Sequence, residues 1–344
     1  MTREFVSTTI LKQIVRLLMC RGLCAVMLSV FVWGMNLPLS AQSLFRRIDS
    51  LLTAKYQKIS YDTAYVTRPQ TKWTVMARLN LSGTSVEVDD VDDGQHFRSE
   101  MEANSKATLS LGVSYRGISL SAAINPAKLI GKYHDYELNL NVYRRDFGFD
   151  IIYHDAKNFT GWYRQEGMDR IELPDGMLKV KTLNVNAYYA INNRRFSYPA
   201  AFSHTYIQRR SAGSFLWAAS GMGQHASFSL EQEQELKFKM MNIGIGAGYG
   251  YNFVPGKGWL LHISALPTLV VYSKTSFTLG DERRDLKFKF PDFIITSRMS
   301  VVRQWSKYFL GLSGIFNLTD VDDKDDFNVL NTKWFSRAFF GLRF

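Results

Sequence analysis

The chain has 344 residues, 14% aromatics and a formal net charge of +11. That length suits one large domain or two ordinary ones, and charged residues at 21% keep the mean hydropathy at −0.15. Beyond the N-terminus no apolar run reaches the length of a membrane-spanning helix.

Arg3, Lys12, Arg16 and Arg21 precede the apolar stretch "LCAVMLSVFVWGMNLPL", which is followed by "SAQS". A basic region, an apolar region and small residues predict a signal peptide over 1–41, cleaved after Ala41. A membrane anchor is the competing reading; the run is short for one and ends at Pro38. Both cysteines, Cys20 and Cys24, lie inside this segment. The remaining chain therefore has no thiol for disulfides, catalysis or metal binding. The segment holds four cations against Glu4, so the remainder keeps +8 of the +11.

Leu44, Ile48, Leu51, Leu52 and Tyr56 recur at helical spacing. They predict a short periplasmic amphipathic helix, and the following residues an extended linker, so that 42–72 precede the main domain. From Trp73 the period becomes two. Trp73, Val75, Ala77, Leu79 and Leu81 oppose Thr74, Met76, Arg78, Asn80 and Ser82. "ATLSLGVSY", "ISLSAAIN", "YELNLNVY", "FGFDIIYH" and "TLNVNAYY" repeat the pattern. Tight connections (116–117, 144–146) alternate with long polar ones at 83–105, 156–179, 221–239, 273–291 and 319–333. A soluble sandwich has no reason for that asymmetry. A transmembrane β-barrel does, with short periplasmic turns, long outer loops, a lipid-facing wall and a polar lumen.

Strands of a barrel alternate in direction, so counts from both ends must agree. Counting up from Trp73 and back from Phe344 gives twelve strands, and 191–210 must then begin and end on the periplasmic side. Pro199 also argues against a central strand there. This segment is expected as a periplasmic loop or a plug in the lumen, built from Arg194, Arg195, Phe196, Tyr198, Pro199, Arg209 and Arg210. Two short strands in its place would make fourteen. Trp73, Tyr115, Tyr136, Tyr143, Tyr153, Trp259, Tyr272, Trp305, Tyr308 and Trp334 lie near strand ends and predict aromatic girdles.

Inside, Arg78 on strand one, Arg298 on strand eleven and Arg337 on strand twelve are expected to share one wall. Glu137 and Asp150 lie roughly opposite. Opposed charges would steer polar solutes; the plainer reading is mutual pairing or pairing with 191–210. Gly244, Gly246, Gly248 and Gly250 strip side chains from one inward strip. A phosphate loop needs a different spacing and a following helix. The strip predicts close packing, with Arg194, Arg195, Phe196 and Tyr198 as candidates. His154 and His262 read as hydrogen-bonded wall residues.

Acids crowd two outer loops, with Asp89 and Asp90 in one and Asp320, Asp322 and Asp323 in the other. Such oxygen ligands suit divalent cations, but Lys324 interrupts and no EF-hand pattern fits. Solvated loops are the plainer reading, and no cofactor or metal is expected. His225 with Ser227, and Ser203 with His204, raise hydrolysis. The first pair has the His-x-Ser spacing of outer-membrane phospholipase A, but "FSLEQE" departs from that family and no orienting partner is evident. An enzyme is not expected. Cations are scattered over turns, lumen and loops, so no nucleic-acid partner is expected.

The chain ends with Trp334, Phe340, Leu342 and Phe344 in period-two register. This resembles the β-signal read by the barrel-assembly machinery of bacterial outer membranes. "SYDTAYVTRP" (60–69) and "FSYPAAFSHTYIQRRSAGSF" (196–215) resemble a Bacteroidetes outer-membrane family, the domain of unknown function numbered 4421. The resemblance implies a fold and a location but no activity. The sequence thus predicts an all-β, twelve-stranded outer-membrane barrel over 73–344, in contact with lipid and lipopolysaccharide. A narrow or plugged channel for small polar solutes is the preferred function; a non-conducting structural or interaction barrel is the alternative.

Overall fold

The computed structural model describes Arg47, Ser50 and residues 60–92, 95–115, 118–124, 136–157, 159–173, 177–229, 235–280, 282–286, 290–322 and 328–344. The expected signal peptide lies outside the described residues. Of the expected amphipathic helix only Arg47 and Ser50 are described, and both are helical.

In chain order the elements are β1 (Val66–Thr67), β2 (Trp73–Asp92), β3 (Gln95–Tyr115), β4 (Ile118–Ile124), β5 (Tyr136–Tyr143), β6 (Phe147–Ala156), β7 (Phe159–Gln165), β8 (Ile171–Leu173) and β9 (Leu178–Ala190). Then come the helix α1 (Tyr198–Phe202), β10 (Ile207–Gln208), β11 (Ala212–Ser229), β12 (Glu235–Gly256), β13 (Trp259–Leu279), β14 (Glu282–Leu286), β15 (Phe293–Gln304), β16 (Tyr308–Asp322) and β17 (Asn328–Arg343). The antiparallel ladder runs β5-β6-β9-β11-β12-β13-β15-β16-β17-β2-β3, and β4 pairs with β3. These are the twelve wall strands of a transmembrane antiparallel β-barrel. First and last strands are joined to the final residue, where Trp73 and Phe344 exchange both main-chain bonds at 2.9 and 3.0 Å.

Alternation explains the wall. Along β9, Leu178, Val180, Thr182, Tyr188 and Ala190 are buried, while Leu183, Val185 and Tyr189 are exposed. The outward set forms an apolar belt. From Met241 to Phe253 on β12 every outward residue is apolar or aromatic. These twelve steps, at roughly 3.3 Å each and a tilt of about 40°, give a band about 30 Å tall, the height of a bilayer core.

The long connections differ from expectation. Residues 83–105 are not an irregular loop: β2 and β3 stay paired up to Asp92↔Gln95, with one irregularity between Ser82 and Thr84. Similar extensions pair Ser229↔Glu235 and Leu236↔Leu279. The alternating Val86, Val88 and Met101, Ala103 continue to bury one face there, so the main chain keeps its ladder partners above the belt. The "LKFK" run at 236–239 is part of β12. Residues 287–289 lie outside the described residues. The hairpin β7–β8 folds back onto the upper part of β3.

Residues 60–72, expected as a linker, are tied to the short-turn end. β1 pairs with β10, and Asp62 N–H donates to Arg194 O at 2.9 Å. Tyr143, expected in a girdle, instead points inward and is buried. It shares a face of β5 with Asn141, the ladder partner of the inward Asp150, and donates its hydroxyl to the Asp150 carboxylate at 2.6 Å.

The glycine strip has a different cause from the one expected. A Cβ at Gly246 or Gly248 would collide with the Pro267 or Ala265 main chain of β13. Glycine therefore lets two wall strands approach closely, beside the register shift at Ile243/Gly244. Only Gly250 faces the 191–210 segment, through Phe196 at 3.1 Å from a Cβ placed there.

Candidate functional site

The chain between β9 and β11 enters the lumen. Ser197 caps α1, accepting from Ala200 N–H at 3.3 Å, and Pro199 supplies a fixed φ in the first turn. His204 ends the helix with φ 58°, donating its N–H to Pro199 O at 2.7 Å. Phe196, Ser197, Tyr198, Ala200 and Ala201 are fully buried.

This segment brings main-chain polar groups into the barrel, and polar side chains satisfy them. Gln208 Oε1 accepts from Ser197 N–H and Asn252 Nδ2, both at 3.0 Å. Its Nε2 donates to Arg195 O at 2.6 Å and Arg210 O at 2.9 Å. Asn252 Nδ2 also donates to Ser197 O at 2.9 Å, and its Oδ1 lies 2.7 Å from His262 Nδ1. His262 and Tyr198 both meet Ser264 Oγ, at 3.0 and 2.9 Å. Nearest the barrel mouth, the His204 ring packs on Phe309 and Phe339, at 4.5 and 4.4 Å between centroids. Arg343 Nη2 donates to His204 O at 3.1 Å.

Above Tyr198 the opposite walls meet directly. Arg298 pairs with Asp150 across the lumen, both within 2% of complete burial. Arg298 Nη1 also donates to Tyr198 Oη at 3.2 Å. Higher still, Ile152 of β6 packs with Ile315 of β16 and Phe335 of β17. Beyond that layer Asn331 Nδ2 donates to Gln224 Oε1 at 3.1 Å, and Thr319 Oγ1 lies 3.6 Å from Met222 Sδ. The cavity above Tyr198, lined by Tyr188, Ser220, Thr296 and Arg298, has room for about one water molecule.

The expected site residues separate. Arg298 belongs to β15, the tenth wall strand rather than the eleventh. Its partnership with Asp150 is mutual pairing, the plainer of the two readings of the sequence, because a buried cation needs an anion in reach. Arg78 and Arg337 face inward near the β2–β17 seam, where Arg337 and Asn80 are ladder partners. Glu137 pairs with His154 in the ladder; its side chain lies outside the described residues.

Of the segment residues, Phe196, Tyr198 and Pro199 are buried, whereas Arg194, Arg195, Arg209 and Arg210 remain exposed. Arg195 bonds Asp62 at 3.3 Å and lies 5.0 Å from the Tyr65 ring, so the arginines clasp residues 60–72 instead of the glycine strip. Phe340, Leu342 and Phe344 point outward and are exposed, and Trp334 lies over Gly83. Asp89 lies 3.9 Å from Arg98, and Asp320 accepts from Asn328 at 2.8 Å. Asp90 lies on the same hairpin as Asp89. The side chain of Asp322 and all of Asp323 lie outside the described residues. Among the described residues no group of three or more His, Cys, Asp or Glu is placed to hold a metal. His225 and Ser227 sit between lysine-bearing strands on the outer wall. Ser203 Oγ donates to Pro199 O at 3.2 Å.

Gln208, Asn252 and Arg343 were not singled out by sequence reasoning. Arg343 alternates with the outward Leu342 and Phe344 and so faces inward, but its contact with the 191–210 segment is not encoded in that alternation.

The fold resembles solved outer-membrane barrels at low similarity. The outer-membrane protease OmpT of Escherichia coli aligns over 84% of this chain and 100% of its own, at 9% identity and TM-score 0.41. The translocator domain of the autotransporter NalP from Neisseria meningitidis aligns over 89% and 98%, at 9% identity and TM-score 0.31. The outer membrane protein OprG of Pseudomonas aeruginosa aligns over 80% and 97%, at 9% identity and TM-score 0.27. No curated protein matches the sequence. Residues 60–344 match the family described as domain of unknown function (DUF4421), spanning the whole barrel together with its β1 tether, and the chain belongs to that family.

Proposed function

We propose that the chain is a Gram-negative outer-membrane barrel that is closed to solutes and works through its faces instead of a pore. In this reading 1–41 export it, the short-turn end is periplasmic, and the paired hairpins project outward. Trp334, Phe340, Leu342 and Phe344 serve recognition by the barrel-assembly machinery. The observation that supports closure is the succession of layers across the lumen. The 191–210 segment, the Arg298–Asp150 pair, the Ile152–Ile315–Phe335 cluster and the Gln224–Asn331 bond follow one another across the lumen.

A gated pore for small polar solutes is the second reading. It is favoured by the discreteness of the 191–210 segment, which is held by side-chain hydrogen bonds and is removable in principle. Conductance in a planar bilayer separates the two. Under the closed reading the intact protein is silent, and so is a variant lacking 196–208, because the upper layers come from the wall. Steady conductance of the intact protein rejects closure, and conductance on deletion alone assigns the segment as a gate.

A further inference from the structure

The outward face carries a second feature, just above the apolar belt. On β9, Lys179 and Lys181 point outward; on β12, Lys237 and Lys239 do; on β13, Lys274 does. The ladder brings them together. Lys181, His225 and Lys239 are consecutive cross-strand partners, as are Lys179, Ser227 and Lys237. Lys274 partners Met241, whose other neighbour is Gly223. Lys181 and Lys239 thus stand two strands apart, about 10 Å, with the His225 ring between them.

Carboxylates lie at both ends of the first row. Asp155 is 3.9 Å from Lys181, and Asp285 is bound by Arg283 at 2.9 Å. The cations still outnumber them, and like charges on neighbouring positions destabilise a sheet unless a counter-charge sits between them. The rest of the rim does not share this character. On β2 and β3 the corresponding outward positions hold Glu87, Asp89, Glu100 and Glu102 against one cation, Arg98, with Glu87 directly opposite Glu100. A general need for solubility would not sort the signs by sector.

We propose that Lys179, Lys181, Lys237, Lys239 and Lys274, with His225, bind the phosphate groups of an outer-leaflet glycolipid. The site combines three requirements. Its lower border is the belt formed by Leu183, Met241, Ile243 and Tyr272, each at least 39% exposed and suited to acyl chains. Its cations begin where the belt ends, at headgroup level. Its spacing offers separate lysines to more than one phosphate, each through charge-assisted hydrogen bonds.

The inference rests on the outward orientation of the hairpin end. A Met168→Cys variant tests that point alone, since Met168 is 56% exposed at the β7–β8 turn and the mature chain has no cysteine. Labelling of intact cells by an impermeant maleimide reports the orientation; labelling only after lysis overturns the orientation and the site with it.

The site is tested with the full mature chain in nanodiscs, titrated with bisphosphorylated lipid A, dephosphorylated lipid A and inorganic phosphate. Bisphosphorylated lipid A is expected to bind, and the Lys181→Gln/Lys239→Gln variant to bind it at least about tenfold more weakly, the loss of one charge-assisted contact or more. A Lys257→Gln/Lys307→Gln control at the opposite end is expected to match the wild type. Equal binding by all three proteins, or equal binding of dephosphorylated lipid A, overturns the site while leaving the orientation intact. Saturation by inorganic phosphate at the same affinity assigns the lysines to a free anion and overturns the glycolipid.

Discussion

The two halves of the lumen are filled in different ways. Toward the short turns a chain segment is inserted, and toward the hairpins the wall's own side chains meet. An inserted segment brings N–H and C=O groups that cannot stay unpaired, so its surroundings are polar: Gln208, Asn252, His262 and Ser264. Side chains from opposite walls bring no main-chain groups with them, and the upper half combines the apolar Ile152, Ile315, Phe335 and Met222 with the paired Gln224 and Asn331. The lower half is thus specified by hydrogen bonds to the inserted main chain as well as by its aromatic packing, and the upper half by contacts between side chains of the wall. The Arg298–Asp150 pair lies at their junction.

Substitutions that break this comparison are ordered by expected size. Asp150→Ala leaves the Arg298 guanidinium buried without an anion, at a cost of about 3–5 kcal/mol. Unfolding in urea from detergent micelles measures it. Removing both charges, as Asp150→Leu/Arg298→Met, restores most of the loss; no recovery would show that the pair itself holds the halves together. In the upper half Ile315→Ala opens a cavity worth about 3 kcal/mol by the same measurement. Ile152→Phe at the neighbouring position is expected to recover part of it by refilling the volume. In the lower half Gln208→Met keeps the volume but unpairs Ser197 N–H and two carbonyls. It costs about 2 kcal/mol, and proteolysis within 60–72 should rise with it, because Gln208 also donates to Tyr65 O.

Period two made the wall legible. Arg78, Asp150, Arg298 and Arg337 all follow from parity, and so does the outward set ending at Phe344. The loop boundaries were not legible, because Asp and Glu in 83–105 read as loop chemistry while Val86, Val88 and Met101 kept burying one face. The pairing of Arg298 with Asp150 was hidden for another reason. It joins the fifth wall strand to the tenth across the lumen, and no local pattern encodes which inward residues meet. The anomaly of 191–210 was visible from direction counting and Pro199. That Phe196 and Tyr198 enter the barrel while the four arginines stay out depends on Asp62 and Tyr65, more than 120 residues away in sequence.

The smallest expected effect concerns His204, where the inserted segment touches the wall. Burial, and then the Arg343 and Arg78 guanidinium groups, hold its imidazole well below the ordinary histidine value near 6.5. A folded-state value below the unfolded one means that the unfolded chain binds the proton more readily. The contribution is therefore complete above pH 6.5 and is lost as pH falls below it toward the folded-state value. Between pH 6.5 and 5.5 the loss is about 1 kcal/mol. His204→Asn removes the titrating group, and asparagine tolerates the left-handed backbone at this position. The gap in stability between wild type and variant should narrow by that amount over this pH step. A gap independent of pH would mean that water reaches the ring and that the lower half is less tightly closed than the upper.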